Sequence, residues 1–449
     1  MKTKIKGSIF NRFTPSQILV TGFAGLILFG AVLLSLPLSS AAGEPTNFID
    51  ALFTATSAVC VTGLVVVDTG TYYSTFGQIV ILLLIQIGGL GFMTMGTLFA
   101  LLLGKRISLR ERLVMKEAYN KMSIEGVVRL AKAVLAITFL IEGIAALILG
   151  FRFAGEFGLA RGMYYGLFHS VSAFNNAGFD LLGDFRSLTG FTSDIPVNLV
   201  ISVLVILGGL GFSVAVDILS KRKWRAFSLH TKIVISTTAI LLAAGMAGVF
   251  LLEFNNAATM KGLPLQAKLM ASWFQGMTPR TAGFNTLDIA GLRNATQFLI
   301  IIFMFIGASP GSTGGGVKTS TFAALVMAVI AMVRGKEDVE MFGRRLPRDI
   351  VQRSLTIIAS SIVFVILITM LLTITEQAEF LAVLFEATSA FGTVGLSMGL
   401  TAKLTLLGKL VIIFTMYAGR LGPLTIAFAL AQRSRKALYH LAEEKIMVG

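Results

Sequence analysis

The sequence predicts an all-α membrane protein of eight transmembrane helices and four short re-entrant half-helices, arranged in fourfold pseudo-symmetry. Three observations carry that prediction. Hydrophobic residues make up 55% of the chain and charged residues only 14%, whereas a soluble domain carries roughly a quarter charged residues. Residues 69–104, 195–216, 233–252, 294–317 and 354–375 contain no Asp, Glu, Lys or Arg, and about 20 apolar residues suffice to cross the hydrocarbon core as a helix. One residue pattern also occurs four times along the 449 residues.

The charges set the expected topology. A formal charge of +15 would suggest nucleic acid in a soluble protein. Here most basic residues fall in five segments, Lys2–Arg12, Lys105–Lys132, Lys221–Lys232, Arg334–Arg353 and Arg433–Lys445. Acidic residues such as Glu44, Asp50, Asp68, Asp180, Asp184, Asp194, Glu376 and Glu379 occupy the stretches between them. That alternation is the positive-inside pattern. It predicts basic cytoplasmic loops, both termini cytoplasmic, an even number of spans and no nucleic-acid partner. The first apolar stretch, 16–38, exceeds the core of a signal peptide and reads as a retained span. A single cysteine, Cys60, excludes an intramolecular disulfide framework and a cysteine metal cluster.

The repeat supplies the four half-helices. Its copies are Leu52-Phe53-Thr54-Ala55-Thr56-Ser57-Ala58-Val59-Cys60-Val61-Thr62-Gly63, Leu167-Phe168-His169-Ser170-Val171-Ser172-Ala173-Phe174-Asn175-Asn176-Ala177-Gly178, Trp273-Phe274-Gln275-Gly276-Met277-Thr278-Pro279-Arg280-Thr281-Ala282-Gly283 and Leu384-Phe385-Glu386-Ala387-Thr388-Ser389-Ala390-Phe391-Gly392-Thr393-Val394-Gly395. Each lies between two apolar stretches. The units are 13–105, 127–220, 230–334 and 350–432, with tails at 1–12 and 433–449, and the half-helices cover about 48–58, 162–174, 267–277 and 380–391. Such segments are too short to span, so each enters and returns from one side.

Irregular backbone at membrane depth survives where it lines a cavity. Four such loops around one axis would present carbonyl oxygens that replace an ion's hydration shell without formal charge. Half-helix C-termini pointing inward favour a cation. Candidate ion ligands are therefore the backbones of Val61, Thr62 and Gly63; Asn176, Ala177 and Gly178; Thr281, Ala282 and Gly283; and Thr393, Val394 and Gly395. A lone glycine reads equally well as a helix cap or packing contact; four equivalent ones point to a shared pore.

The second span of each unit repeats as well. Ile87–Phe92 and Leu207–Phe212 carry small residues that close helix packing explains. The third copy differs: Gly307, Ala308, Ser309, Pro310, Gly311, Ser312, Thr313, Gly314, Gly315 and Gly316 cannot continue a helix, because glycine and proline both break it. This segment is a candidate intramembrane gate. Gly311–Thr319 is no nucleotide-binding loop, since Val317 separates Gly316 from Lys318 and no strand precedes it. Arg420, a cation within the eighth span, is either a carbonyl clamp or a fixed barrier charge beside the pore. Glu142 reads as a structural hydrogen-bonding residue, His169 as a packed histidine and Cys60 as a backbone contributor. Arg280 reads as tying its loop to neighbouring protein.

These residues resemble the Trk/Ktr/HKT potassium transporter superfamily, and within it the Ktr-type membrane subunit. The match rests on the four glycine-ended loops, the TSAVCVTGL wording of the first and GASPGSTGGGVKT in the third unit. The resemblance implies potassium uptake, with Gly63 favouring potassium over sodium and sodium a candidate activator. It further implies a homodimer with one pore per protomer, a gating loop at 307–316 and a separate cytosolic regulatory ring of the KTN/RCK type. ATP/ADP, NAD or a cyclic dinucleotide would bind that ring and not this chain, whose other partners are membrane lipids. Two rivals stand beside this reading. An alternating-access symporter would usually show inverted repeats, whereas every unit here begins at a basic loop. A membrane enzyme would need clustered catalytic groups, and none is visible.

Overall fold

The computed structural model describes residues 14–91, Leu113 and 127–422. The expected tails 1–12 and 433–449, the end of the first unit to 105, most of the second basic segment and the end of the fourth unit from Pro423 lie outside the described residues.

Fourteen helices of more than four residues can be followed in order: α1 Pro15–Ser35, α2 Phe48–Cys60, α3 Thr75–Leu90, α4 Val127–Phe157, α5 Leu159–Phe174, α6 Ile195–Gly209, α7 Phe212–Lys221, α8 Leu229–Glu253, α9 Leu265–Met277, α10 Asn294–Phe305, α11 Thr319–Val333, α12 Arg348–Thr375, α13 Phe380–Gly392 and α14 Leu406–Leu421. Their starts follow capping chemistry. Thr14, Ser74, Asp194, Ser228 and Thr405 each accept a first-turn amide hydrogen through the side chain, satisfying a donor that the helix itself cannot pair.

Among the described residues four helices are long and apolar enough to cross a bilayer unaided, within α1, α4, α8 and α12, and α6 with α7 are apolar enough as a pair bent by 97°. Their outward faces are apolar: Phe29, Leu140, Phe151, Ile240 and Leu367 are each more than half exposed, as lipid-facing residues are. Together with the relationships described below, this makes the chain a multi-pass membrane protein.

The short helices α2, α5, α9 and α13 form the inside of the bundle. Every residue from Phe53 to Cys60 is buried, as is every residue from Phe168 to Phe174 and from Phe385 to Gly392. Each short helix follows a long one and precedes another helix: α3, α6, α10 and α14 respectively.

The second spans depart from the sequence expectation that Ile87–Phe92 and Leu207–Phe212 merely pack closely. Close packing is present: a Cβ on Gly88, Gly208 or Gly419 would be driven into the carbonyl oxygen of Val59, Phe174 or Phe391 respectively. A break comes with it. Three residues further on, Gly91, Gly211 and Gly422 take φ/ψ of 82/133°, 93/134° and 85/134°, a region that only glycine enters readily. Helices α3, α6 and α14 end there, and α7 leaves α6 at 97°. The third unit is broken over a longer stretch between α10 and α11, joined by a parallel bridge between Ile306 and Val317. A small hairpin, β1 Glu340–Met341 with β2 Arg344–Arg345, follows α11.

Polar staples lock the opposite ends of the units. Glu253 at the end of α8 accepts from the Arg293 amide (2.9 Å) and Thr296 Oγ1 (2.5 Å) at the start of α10. Glu376 does the same for the Thr405 amide (3.0 Å) and Oγ1 (2.6 Å) before α14. A carboxylate there also complements the positive end of the helix. Lys409 on α14 reaches Asp50 on α2 at 2.5 Å, joining the fourth unit to the first.

Candidate functional site

The four loops after the short helices share one backbone path. Val61, Asn176, Thr281 and Thr393 adopt φ of 56°, 59°, 63° and 50°, and the glycine two residues on in each loop has φ of 92°, 71°, 78° and 92°. Left-handed backbone is costly for β-branched residues, yet three of the four non-glycine positions are Val or Thr. Helix termination carries much of it. In the first, second and fourth loops the left-handed residue donates to the carbonyl three residues back, as Val61 does to Ala58 (3.2 Å). The next residue donates five back, as Thr62 does to Ser57 (2.8 Å). That pairing closes a helix around a left-handed residue.

Hydroxyls brace the same turns. The Gly63 amide donates to Ser57 Oγ (3.0 Å) and the Gly395 amide to Ser389 Oγ (3.2 Å). Ser172 Oγ donates to the Phe179 carbonyl (2.7 Å) and Thr278 Oγ1 to that of Phe284. In the third loop the hydroxyl stands one residue closer to the glycine, and Ala282 donates only four back, to Thr278 (3.0 Å).

The loops close on one another in sequence order. A Cβ on Gly63 would strike the Ala177 carbonyl oxygen; on Gly178 it would lie 3.0 Å from the Ala282 oxygen and 2.6 Å from Gly283 Cα. On Gly283 it would lie 2.9 Å from the Val394 oxygen, and on Gly395 it would strike the Thr62 oxygen. Each glycine thus sits against the carbonyl that precedes the next loop's glycine, from first to second, second to third, third to fourth and back to first. The closed cycle gathers Val61–Gly63, Asn176–Gly178, Thr281–Gly283 and Thr393–Gly395 in one place, all buried except the half-buried Gly395. It leaves no room for a side chain at the four glycines.

Directly against this ring lies the segment from Gly307 to Gly316. Thr313 Oγ1 donates to Asn176 Oδ1 (2.7 Å), and the Gly315 amide donates to Thr393 Oγ1 (2.9 Å). Gly314 packs on Thr281 so closely that a Cβ would overlap its hydroxyl. The segment therefore touches the left-handed residue of three loops. Asn176 Nδ2 also donates to Thr281 Oγ1 (3.3 Å). The other side of the segment is held by the break in α6–α7: the Ser309 amide donates to the Gly209 carbonyl (3.0 Å), Thr313 to Gly208 (3.3 Å), and Phe212 to Gly311 (3.0 Å). Ala308 is fully buried; Ser309 shares a hydrogen bond with Thr319 (2.9 Å). Pro310 offers its carbonyl to the approach of Gly211, and among the described residues Ser312 Oγ has no partner.

Arg420 ties this segment to the first unit. Its Nη1 donates to the Thr313 carbonyl, and Nη2 donates to those of Gly88 (2.6 Å) and Gly89 (3.3 Å). Lys318 adds a bond to the Gly314 carbonyl (2.7 Å). Two cations thus bear on the underside of the ring, each held by backbone oxygens.

The lesser candidates find plain surroundings. Glu142 accepts from Gln86 Nε2 (3.1 Å) and Asn175 Nδ2 (3.0 Å), bridging α3, α4 and α5. His169 Nδ1 donates to the Tyr165 carbonyl (2.7 Å), and the ring stacks on Phe284. Cys60 ends α2 with its side chain buried. Arg280 reaches α8, where Nη2 donates to Thr238 Oγ1 at 3.4 Å.

Sequence reasoning located the four glycines and missed two features of the site. One is the left-handed residue two positions earlier, which the aligned VTG, NAG, TAG and TVG endings of the four copies could have indicated. The other is the single-glycine break in α3, α6 and α14.

With this geometry in view, comparison with known proteins is direct. The family described as "TrkH: Cation transport protein" matches residues 15–437. The chain belongs to this family of membrane cation transport proteins. It is 49% identical to the Ktr system potassium uptake protein B of Bacillus subtilis (strain 168), over 94% of each chain. It is 43% identical to the potassium/sodium uptake protein NtpJ of Enterococcus hirae over the full length of both. The crystal structure of the potassium transporter TrkH from Vibrio parahaemolyticus shares its fold, with a TM-score of 0.70 at 20% identity, covering 96% of this chain and 86% of that one.

Proposed function

We propose that this chain takes up potassium across the cell membrane through one pore enclosed by the four loops. The observation that carries the reading is the closed cycle of glycine–carbonyl contacts running through all four units. It brings neutral carbonyl oxygens from four directions to one axis, the arrangement suited to a large, weakly hydrated alkali cation. In this reading Thr62, Ala177, Ala282 and Val394, with the residues beside them, form the selectivity filter, and eight spans with four half-helices make up the units 13–105, 127–220, 230–334 and 350–432. Gly307–Gly316 is the gate, positioned by Arg420. The names of the Bacillus subtilis and Vibrio alginolyticus relatives describe a system, which supports a membrane subunit working with a partner. We assign that partner the form of a cytosolic ring carrying the regulatory nucleotide, docked on the basic loops of a homodimer.

The test is potassium flux into vesicles holding the purified chain, with sodium as competitor. Saturable potassium entry that excess sodium leaves largely intact supports the reading. Equal passage of both ions, or none with the partner present, contradicts it. The name of the Enterococcus hirae relative gives sodium a place beside potassium, so sodium entry is measured in the same vesicles.

A further inference from the structure

Arg280 occupies a position that its repeat equivalents fill with uncharged residues. The residue before the left-handed turn is Cys60 in the first loop, Asn175 in the second and Gly392 in the fourth. In the third it is an arginine, only 7% exposed. Buried cations usually find anions or several acceptors, because an unpaired buried charge is expensive. The half-buried cations near the ring do so through carbonyls, three for Arg420 and one for Lys318. Lys268 pairs with the Phe254 carbonyl and ring.

Arg280 does not. Among the described residues its one bond is the long contact to Thr238, and Nε has no partner. The buried carboxylates are committed elsewhere: Glu142 to Gln86 and Asn175, Glu253 to Thr296, Glu376 to Thr405, Glu386 to Ser397 and Thr401. Arg280 lines a small cavity of about 10 Å³ between α6, α8 and α9, together with Val205, Ile206, Gly209, Thr238, Leu242 and Met277. That is room for about one water, and none of those side chains carries an opposite charge.

We propose that Arg280 is a specificity-determining charge built into the third loop, kept without a counter-ion so that its field weakens cation binding in the filter. The inference rests on the reading of the loops as a potassium filter. A ring of carbonyls with inward-pointing helix ends risks holding a cation too firmly to release it. A fixed positive charge behind one loop opposes that attraction. Arg280 directly precedes Thr281 of the ring, so its charge is taken to act over a separation on the order of 10 Å. At an effective dielectric of about 20, its repulsion corresponds to roughly tenfold in affinity.

The experiment measures the potassium concentration that half-saturates flux in vesicles, with thermal melting of each purified variant alongside. Arg280→Gln, which removes the charge, is expected to lower half-saturation about tenfold and to slow maximal flux. Arg280→Lys keeps the charge and is expected to restore the native value. Thr238→Asp places a counter-ion against the unchanged arginine and is expected to reproduce the Gln shift, which decides the matter if Arg280→Gln fails to fold. Thr238→Val removes only the tie to α8 and should leave half-saturation unchanged. The proposal is overturned if Arg280→Gln and Thr238→Asp leave it unchanged, or if Lys or Val shifts it as Gln does. A native protein that passes no potassium would instead refute the underlying reading.

Discussion

In the ring, four loops from four units follow one path: a left-handed residue, an intervening residue and a left-handed glycine, closed by contacts that repeat around the axis. Beneath it three second spans end at a single glycine each, while the third opens into the segment between Ile306 and Lys318. The ring is built from backbone, and repetition is what makes it. The layer below is built from one irregular insertion and two cations, contributed unequally by the units. In the proposed function, symmetry serves coordination of the ion, and its loss lets one segment act as the gate.

The two regions also meet unequally. Asn176, Thr281 and Thr393 touch the segment through their side chains. Val61, the first-unit counterpart, has no polar atom to offer. There the link is Arg420, spanning from the Thr313 carbonyl to those of Gly88 and Gly89.

The largest effect is expected where the ring is disturbed. Gly63→Ser forces a Cβ toward the Ala177 carbonyl and a side chain into a φ of 92°. Strain of about 1–3 kcal/mol falls on the loop, while the spans keep their packing. Preference for potassium over sodium should fall by about tenfold or more in competition flux, with folded yield largely kept. Unchanged selectivity in well-folded protein would separate the ring from ion choice.

Shortening Gly311–Gly316 acts on the layer below. It removes the proposed gate and its bonds to Gly208 and Phe212, while the four loops keep their own braces. Flux without the regulatory partner should rise several-fold with selectivity retained. Flux that stays low and partner-dependent in folded protein would make the segment structural.

Arg420→Ala should have a smaller effect of the same sign. Three carbonyls lose a charged donor, a loss of about 1–3 kcal/mol, and the segment is freed only on its first-unit side. A modest rise in flux with a lower melting temperature is expected. Lower melting with no change in flux would leave Arg420 a clamp alone.

The sequence carried the fold because its signals are cumulative: uncharged stretches of spanning length, and a lead-in such as Leu52-Phe53-Thr54 copied in every unit. It carried the ring glycines because each copy ends on one. It did not carry the strain at Val61, Thr281 and Thr393, since β-branched residues argue against left-handed backbone locally, and the helix-closing bonds and cross-loop contacts that hold them there appear only in the structure. Gly91 and Gly211 were read as packing residues for a related reason: IGGLG supplies one glycine for close approach and another for the break, and composition alone does not separate the two. Arg280 was legible only as a tie between its loop and neighbouring protein, because its lack of a counter-ion depends on where Glu142, Glu253 and Glu386 find their partners, which only the packed structure reveals.

The central claim is that the four loops enclose a cation path on one axis. Anomalous diffraction from crystals grown with rubidium in place of potassium tests it most directly. The account predicts rubidium peaks on the axis between the glycines, ringed by the carbonyl oxygens of Thr62, Ala177, Ala282 and Val394. Rubidium found only elsewhere in the protein, with that axis empty at saturating concentration, would contradict it.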